Sequence, residues 1–228
     1  MCFELLYAMF NQMRCILYIA ENTIFEEYQQ EEIMLSRNSK VQRLVGTAIL
    51  VAIVIVLQAF ASGIHFGPFT PTLALIPIII GAILYGPATG ALLGLIFGII
   101  VVITVVSGLE PFSMIMFNQN PFFTVVTCLA KGAGAGFFSG LAYKGLEKRK
   151  FVGVATAAVV APVTNTGLFA IAMLTVFRNL LEESAAGQNP VVFLLVAFIG
   201  VNFLFELVFD IVLTPVIIKI LSAIKKTS

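Results

Sequence analysis

The chain has 228 residues, of which 60% are hydrophobic and 11% are charged, and its formal net charge is +1. A soluble domain could not cover this composition with polar surface, and a nearly neutral chain offers neither a basic patch for nucleic acid nor an acidic tail. The single histidine and three widely spaced cysteines form no zinc or catalytic constellation. We therefore expect no enzyme, no catalytic residue, no bound metal and no cofactor.

The first 33 residues mix acids, Gln and Asn into an apolar background, and they contain neither a clear span nor a signal peptide with a cleavage site. Met34 is followed by the basic segment LSRNSKVQR and then by the first strong apolar run. We expect translation to start at Met34, with 1–33 a gene-model extension and 34–228 a single transmembrane domain. Mass spectrometry of native protein tests this, because a peptide from residues 15–33 would contradict it.

Six apolar stretches follow, with Gly, Pro and charged residues at their ends. They predict membrane-spanning helices at about 42–62, 71–86, 88–107, 121–144, 152–178 and 190–222, of which the second is short. No inverted repeat of the kind that builds many self-sufficient carriers is evident. The predicted fold is an all-α integral membrane protein, a compact bundle of six transmembrane helices.

Lysine and arginine are concentrated in alternate loops of this arrangement, which predicts the orientation because cytoplasmic loops retain positive charge. Basic residues precede the first span, separate the fourth from the fifth, and follow the sixth: Arg37, Lys40, Arg43, Lys144, Lys148, Arg149, Lys150, Lys225 and Lys226. The opposite loops hold Glu110, Glu182 and Glu183 with Arg178 alone. Both termini are thus predicted to be cytoplasmic, in a multi-pass protein of the bacterial cell membrane.

Few polar side chains interrupt the spans, and each one needs a reason because an unpaired polar group in hydrocarbon costs several kcal/mol. At about 1.5 Å of rise per residue, Lys131 lies roughly 16 Å deep, Asn165 about 20 Å and Asn202 about 18 Å. Glu206 shares a helix face with Asn202, and Asn120 shares one with Lys131.

These five residues predict an outward-facing cavity for a small polar molecule that carries a carboxylate, hydroxyls and an amide. His65 and Asn118, in the two aromatic outer loops, are further candidate binding residues. The alternative is structural: Lys131 and Glu206 form a buried ion pair, and the asparagines join helices by hydrogen bonds. Asp210, nearer the cytoplasmic end, is interpreted as structural or as part of a subunit contact.

Small residues mark surfaces at which helices approach closely. Ala48 and Ala52 form an AxxxA pair in the first span, and glycines recur in the third and fourth spans at Gly90, Gly94, Gly98, Gly132, Gly134, Gly136 and Gly140. The alanine pair predicts a docking surface, and the glycines predict close packing inside the bundle.

The pattern over residues 40–222 resembles the substrate-binding S components of energy-coupling-factor (ECF) transporters. The resemblance is carried by the AxxxA pair, the run PIIIGAILYGPATGALLGLIFGII, NQNP before the fourth span, TNT in the fifth and NFLFE in the sixth. It implies a subunit that binds a vitamin outside the cell and docks through Ala48 and Ala52 onto a transmembrane coupling subunit. Two cytoplasmic ATPases, also partners, then drive release of the cargo inside, so that ATP is used by the partners alone.

Within this family, the chain looks most like the pantothenate type. Such relatives carry an arginine in the middle of the fourth span, whereas this chain has Lys131, which cannot grip a carboxylate with two parallel hydrogen bonds. Riboflavin, folate and hydroxymethylpyrimidine therefore remain alternative substrates. A stand-alone proton-coupled carrier that uses Lys131, Glu206 and Asp210 is the alternative of another class.

Overall fold

The computed structural model describes residues 39–61 and 72–200, together with 203, 204, 206–208, 210–212, 214, 215 and 217–219. Regular structure in these ranges is entirely helical. The helices are α1 (Ser39–Ala61), α2 (Leu75–Tyr85), α3 (Pro87–Val106), α4 (Pro111–Gln119), α5 (Pro121–Gly145), α6 (Lys150–Thr175), α7 (Arg178–Ser184) and α8 (Pro190–Phe193). A π-helix, Leu194–Gly200, follows α8 directly, and the described residues from 203 to 219 are again helical.

Residues 1–45 and 46–228 form two separate compact units. The contacts described below all lie within the second. Among the described residues of the first unit, only the opening turns of α1 are present, so the prediction that 1–33 is a gene-model extension lies outside the described residues.

Four of the described helices are long and apolar enough to cross a membrane: Val41–Ala61, Pro87–Val106, Pro121–Gly145 and Lys150–Thr175. They coincide with the predicted first, third, fourth and fifth spans. Helix α2 has 11 residues and is about 16 Å long, in line with the short second span. The all-helical class is confirmed, whereas the count of six spans and the cytoplasmic placement of both termini stay predictions.

Proline and asparagine determine where several helices begin. Pro87, Pro111, Pro121 and Pro190 each occupy the first turn of a helix, where a missing N–H leaves no hydrogen bond unmade. Asn120 caps α5 by accepting a hydrogen bond from the Phe123 N–H at 3.3 Å. Helices α4 and α7 lie inside segments that the sequence pattern assigned to outer loops.

The glycines of α3 and α5 bring these two helices into backbone contact. A Cβ added at Gly90 would meet the carbonyl oxygen of Gly136, one at Gly94 would meet that of Gly132, and one at Gly98 would lie 2.6 Å from the Cys128 carbonyl oxygen. Because nothing larger than hydrogen fits, the predicted close packing is confirmed, and it fixes the position of α5 in the bundle. Gly134, on another face of α5, lies against Leu168 of α6.

Two clusters of apolar side chains surround the polar residues of the bundle. The larger joins α1, α2, α3, α5 and α6 and includes Leu50, Ile78 and Phe97. The smaller joins α4 to the end of α6, α7 and the π-helix through Met116, Met173, Phe177, Leu180, Leu181 and Leu194. Phe169 of α6 packs against the smaller cluster.

Candidate functional site

Buried polar side chains in the described part of the bundle concentrate in α1, α6 and the last helical segment. Gln58 is 3% exposed, Asn165 4%, Glu206 3% and Asp210 2%. Burying such groups in apolar surroundings is costly unless they bind each other, a ligand or water. Their contacts therefore locate the candidate site.

Glu206 lies at the centre of these contacts. Its carboxylate accepts hydrogen bonds from the hydroxyl and the backbone N–H of Thr72, which precedes α2, and from the side-chain amide of Asn165. Lys131 of α5 lies within electrostatic range of the same carboxylate. The structure thus brings together Lys131, Asn165 and Glu206, three residues that the sequence pattern placed at one level, and adds Thr72.

The helix bounds give the depths of two of these residues. Lys131 lies ten residues after the start of α5, and Asn165 lies ten residues before the end of α6. Each is therefore about 15 Å along its helix from the same side of the bundle. The predicted common level is retained for this pair.

Lys131 is half-buried, and its Nζ lies 5.9 Å from the centroid of the Phe169 ring. At that distance a cation is attracted to the negative face of an aromatic ring, with a contribution of about 0.5–1 kcal/mol. The ammonium is therefore directed toward α6 and the smaller apolar cluster. A cation held at such a depth suits a ligand anion.

Asn165 is placed three residues after Pro162, which lies inside α6. Proline has no N–H to donate to the preceding turn, so the helix is interrupted just before the TNT segment. The Oδ1 atom of Asn165 is buried and, among the described residues, accepts no hydrogen bond. It is an acceptor available to a ligand hydroxyl or amide N–H.

The remaining predicted binding residues are placed less informatively. Asn120 is half-buried, and its side chain is engaged in capping α5. Asn118 is exposed in the last turn of α4. Asn202 and His65 lie outside the described residues. The assignment of all these residues to substrate binding stays a prediction.

Three residues near or beside the cluster were missed by the sequence pattern. Thr72 and Phe169 carry no distinctive motif, and only the fold brings them to Glu206 and Lys131. Gln58 had a usable signal, because it is the one amide side chain in the apolar run of the first span. Asp210 lies one helical turn after Glu206, with its Oδ2 accepting no hydrogen bond from the described residues.

The predicted docking residues lie on an open face of α1. Ala48 and Ala52 are both exposed, and so are their neighbours Ile49 and Ile53. The opposite side of the helix packs into the bundle through Leu50, Val54, Gln58 and Ala61. An AxxxA pair with nothing upon it in the described structure is available to another helix.

Long apolar helices that enclose connected polar side chains define a membrane-embedded protein with a polar site between its helices. The profile of the family described as "ECF transporter, substrate-specific component" matches residues 42–218. The pantothenic acid transporter PanT of Lactococcus lactis subsp. cremoris (strain MG1363) is 30% identical over 207 residues, which are 84% of this chain and 100% of that protein. The chain therefore belongs to the family of substrate-specific components of ECF transporters, and it is a transporter component.

Proposed function

We propose that this protein is the S component that captures pantothenate outside a bacterial cell and delivers it to an ECF module. The observation that carries the proposal is the relative named as a pantothenic acid transporter, which aligns along its whole length. The polar cluster supports the same substrate. Pantothenate is an anion with one amide and two hydroxyls, and it therefore needs a cation and neutral hydrogen-bonding groups.

Lys131 supplies the cation in this proposal, binding the carboxylate of pantothenate as a point charge. A lysine serves this purpose with less geometric selectivity than an arginine would. Asn165 supplies an acceptor at the same depth for a hydroxyl or the amide N–H. Asn202 and Asn120, as predicted from the sequence, extend the site toward the outside.

Delivery requires partners. The exposed Ala48 and Ala52 are proposed to contact a transmembrane coupling subunit, with two cytoplasmic ATPase subunits completing the module. The ATP chemistry belongs to those subunits, and this chain is proposed to need no cofactor. The six-span arrangement with both termini in the cytoplasm places the alanines where a coupling subunit in the same membrane can reach them.

Equilibrium binding of radiolabelled pantothenate to the purified protein in detergent tests the proposal, with unlabelled riboflavin, folate, hydroxymethylpyrimidine and thiamine as competitors. Saturable binding that only pantothenate displaces is expected. Displacement by another vitamin would reassign the substrate within the family. Asn165→Ala should weaken binding, whereas Asn179→Ala, at an exposed asparagine of α7, is the matched control.

A second candidate function, a stand-alone proton-coupled carrier, draws support from Asp210. This buried carboxyl lies one turn from Glu206, and its Oδ2 accepts no hydrogen bond from the residues described. Successive carboxyl groups within a membrane are typical of proton paths. Such a carrier would transport pantothenate without any partner subunit.

A further inference from the structure

Glu206 has little acceptor capacity left for a ligand. A carboxylate offers about four lone-pair positions, and the Thr72 hydroxyl, the Thr72 N–H and the Asn165 amide occupy three of them. The side chain is also 97% buried, since only 3% of it is exposed. A direct grip on substrate by Glu206, as the sequence pattern predicted, therefore has little room.

The same contacts determine how the Asn165 side chain is turned. An ionised carboxylate accepts hydrogen bonds but donates none, so Asn165 must present its NH₂ group to Glu206. The two ends of an amide lie on opposite sides, and Oδ1 then points away from Glu206. This agrees with the buried Oδ1 that finds no donor among the described residues.

We propose that Glu206 is a positioning residue that holds Asn165 as a hydrogen-bond acceptor, and that Asn165 accepts from a donor group of the ligand while Lys131 binds the ligand's anionic end. Thr72 supports the arrangement by holding the other side of the Glu206 carboxylate. The substrate is thus oriented by two unlike contacts, an acceptor on α6 and a cation on α5. As regards the ligand's identity, the inference rests on the proposed function.

A double-mutant cycle on ligand affinity separates positioning from direct contact. We expect Asn165→Ala to weaken pantothenate binding roughly tenfold, the usual effect of losing one hydrogen bond in a buried site. Glu206→Gln should also weaken binding. Because Glu206 acts through Asn165, adding Glu206→Gln to Asn165→Ala should weaken binding by no more than about twofold. Effects that multiply in the double variant would overturn the proposal.

Ligand analogues give a second readout that a merely structural role would not change. Three pantothenates, each methylated at one of the two hydroxyls or at the amide nitrogen, remove the donors one at a time. The wild type should reject one of them by roughly tenfold. In Glu206→Gln that ratio should shrink, because glutamine both donates and accepts and lets Asn165 turn either way. An unchanged ratio contradicts the proposal.

A ligand-free measurement keeps the inference separate from the proposed function. The midpoints of thermal unfolding of wild type, Asn165→Ala, Glu206→Gln and the double variant should show non-additive losses, with Glu182→Gln at an exposed acid as control. Coupling without pantothenate binding would leave Glu206 as a positioning residue while refuting pantothenate as substrate. Additive losses would overturn the positioning role whatever the ligand.

Discussion

Replacing Lys131 by methionine tests the anionic half of the candidate site. Methionine keeps the unbranched shape and apolar contacts of the side chain but removes its charge. A hydrogen bond to a charged group contributes about 1.5–3 kcal/mol. Because Lys131 is half-buried and its ammonium remains partly hydrated, we take about 2 kcal/mol, which corresponds to a roughly 30-fold loss of pantothenate affinity.

The assay is equilibrium binding of pantothenate and of panthenol, the alcohol that lacks the carboxylate. Lys131→Met should weaken pantothenate binding and change panthenol binding by less than about threefold, since panthenol brings no anion to the ammonium. Lys131→Arg should retain or improve pantothenate binding, because a guanidinium can grip a carboxylate with two hydrogen bonds. Equal losses for the two ligands would refute carboxylate recognition by Lys131.

The matched control is Lys144→Met, in the last turn of the same helix, where the side chain is exposed. It removes the same charge from α5 without touching the cluster. Thermal unfolding of both variants checks that the protein remains folded. A loss of pantothenate binding in Lys144→Met as large as in Lys131→Met would assign the effect to net charge rather than to the site.

Three further predictions concern packing, docking and the second buried acid. Gly94→Ala should lower the midpoint of thermal unfolding sharply or abolish folding, because the added Cβ meets the Gly132 carbonyl, whereas Gly167→Ala, with open space around it, should be neutral or stabilising by about 0.5–1 kcal/mol; equal midpoints would contradict the packing. Ala48→Trp should abolish ATP-driven uptake while pantothenate binding is unchanged, and Ile53→Trp, on a different part of the exposed side of α1, should spare both; normal uptake by Ala48→Trp would refute docking through this alanine. Asp210→Asn should raise the unfolding midpoint, by about 1 kcal/mol in stability, because it removes a buried charge one turn from Glu206; a lower midpoint would show that the carboxylate has a favourable partner.

The sequence predicted the long apolar helices well because a membrane span needs about twenty apolar residues, and that requirement is visible without any tertiary information. It also predicted that Lys131, Asn165 and Glu206 meet, since polar groups at one depth in hydrocarbon must find each other or a ligand. The glycine contacts between α3 and α5 followed from spacing alone. Each of these features is local or periodic in the chain.

Other features depend on tertiary contacts and left no periodic signal. Thr72 reaches Glu206 from a segment more than a hundred residues earlier, and its role depends on where the loop before α2 returns to the bundle. The π-helix Leu194–Gly200 changes the register of the last span just before Glu206. Helices α4 and α7 are short amphipathic segments, which single-sequence patterns do not separate from loops.

Uptake of radiolabelled pantothenate into proteoliposomes tests the central claim most directly. The protein would be reconstituted alone with an imposed proton gradient, and in parallel with a coupling subunit, two ATPase subunits and internal or external ATP according to their orientation. The account predicts binding by the protein alone but accumulation only with the complete module and ATP. Accumulation by the protein alone, driven by the proton gradient, would contradict it and establish a stand-alone carrier.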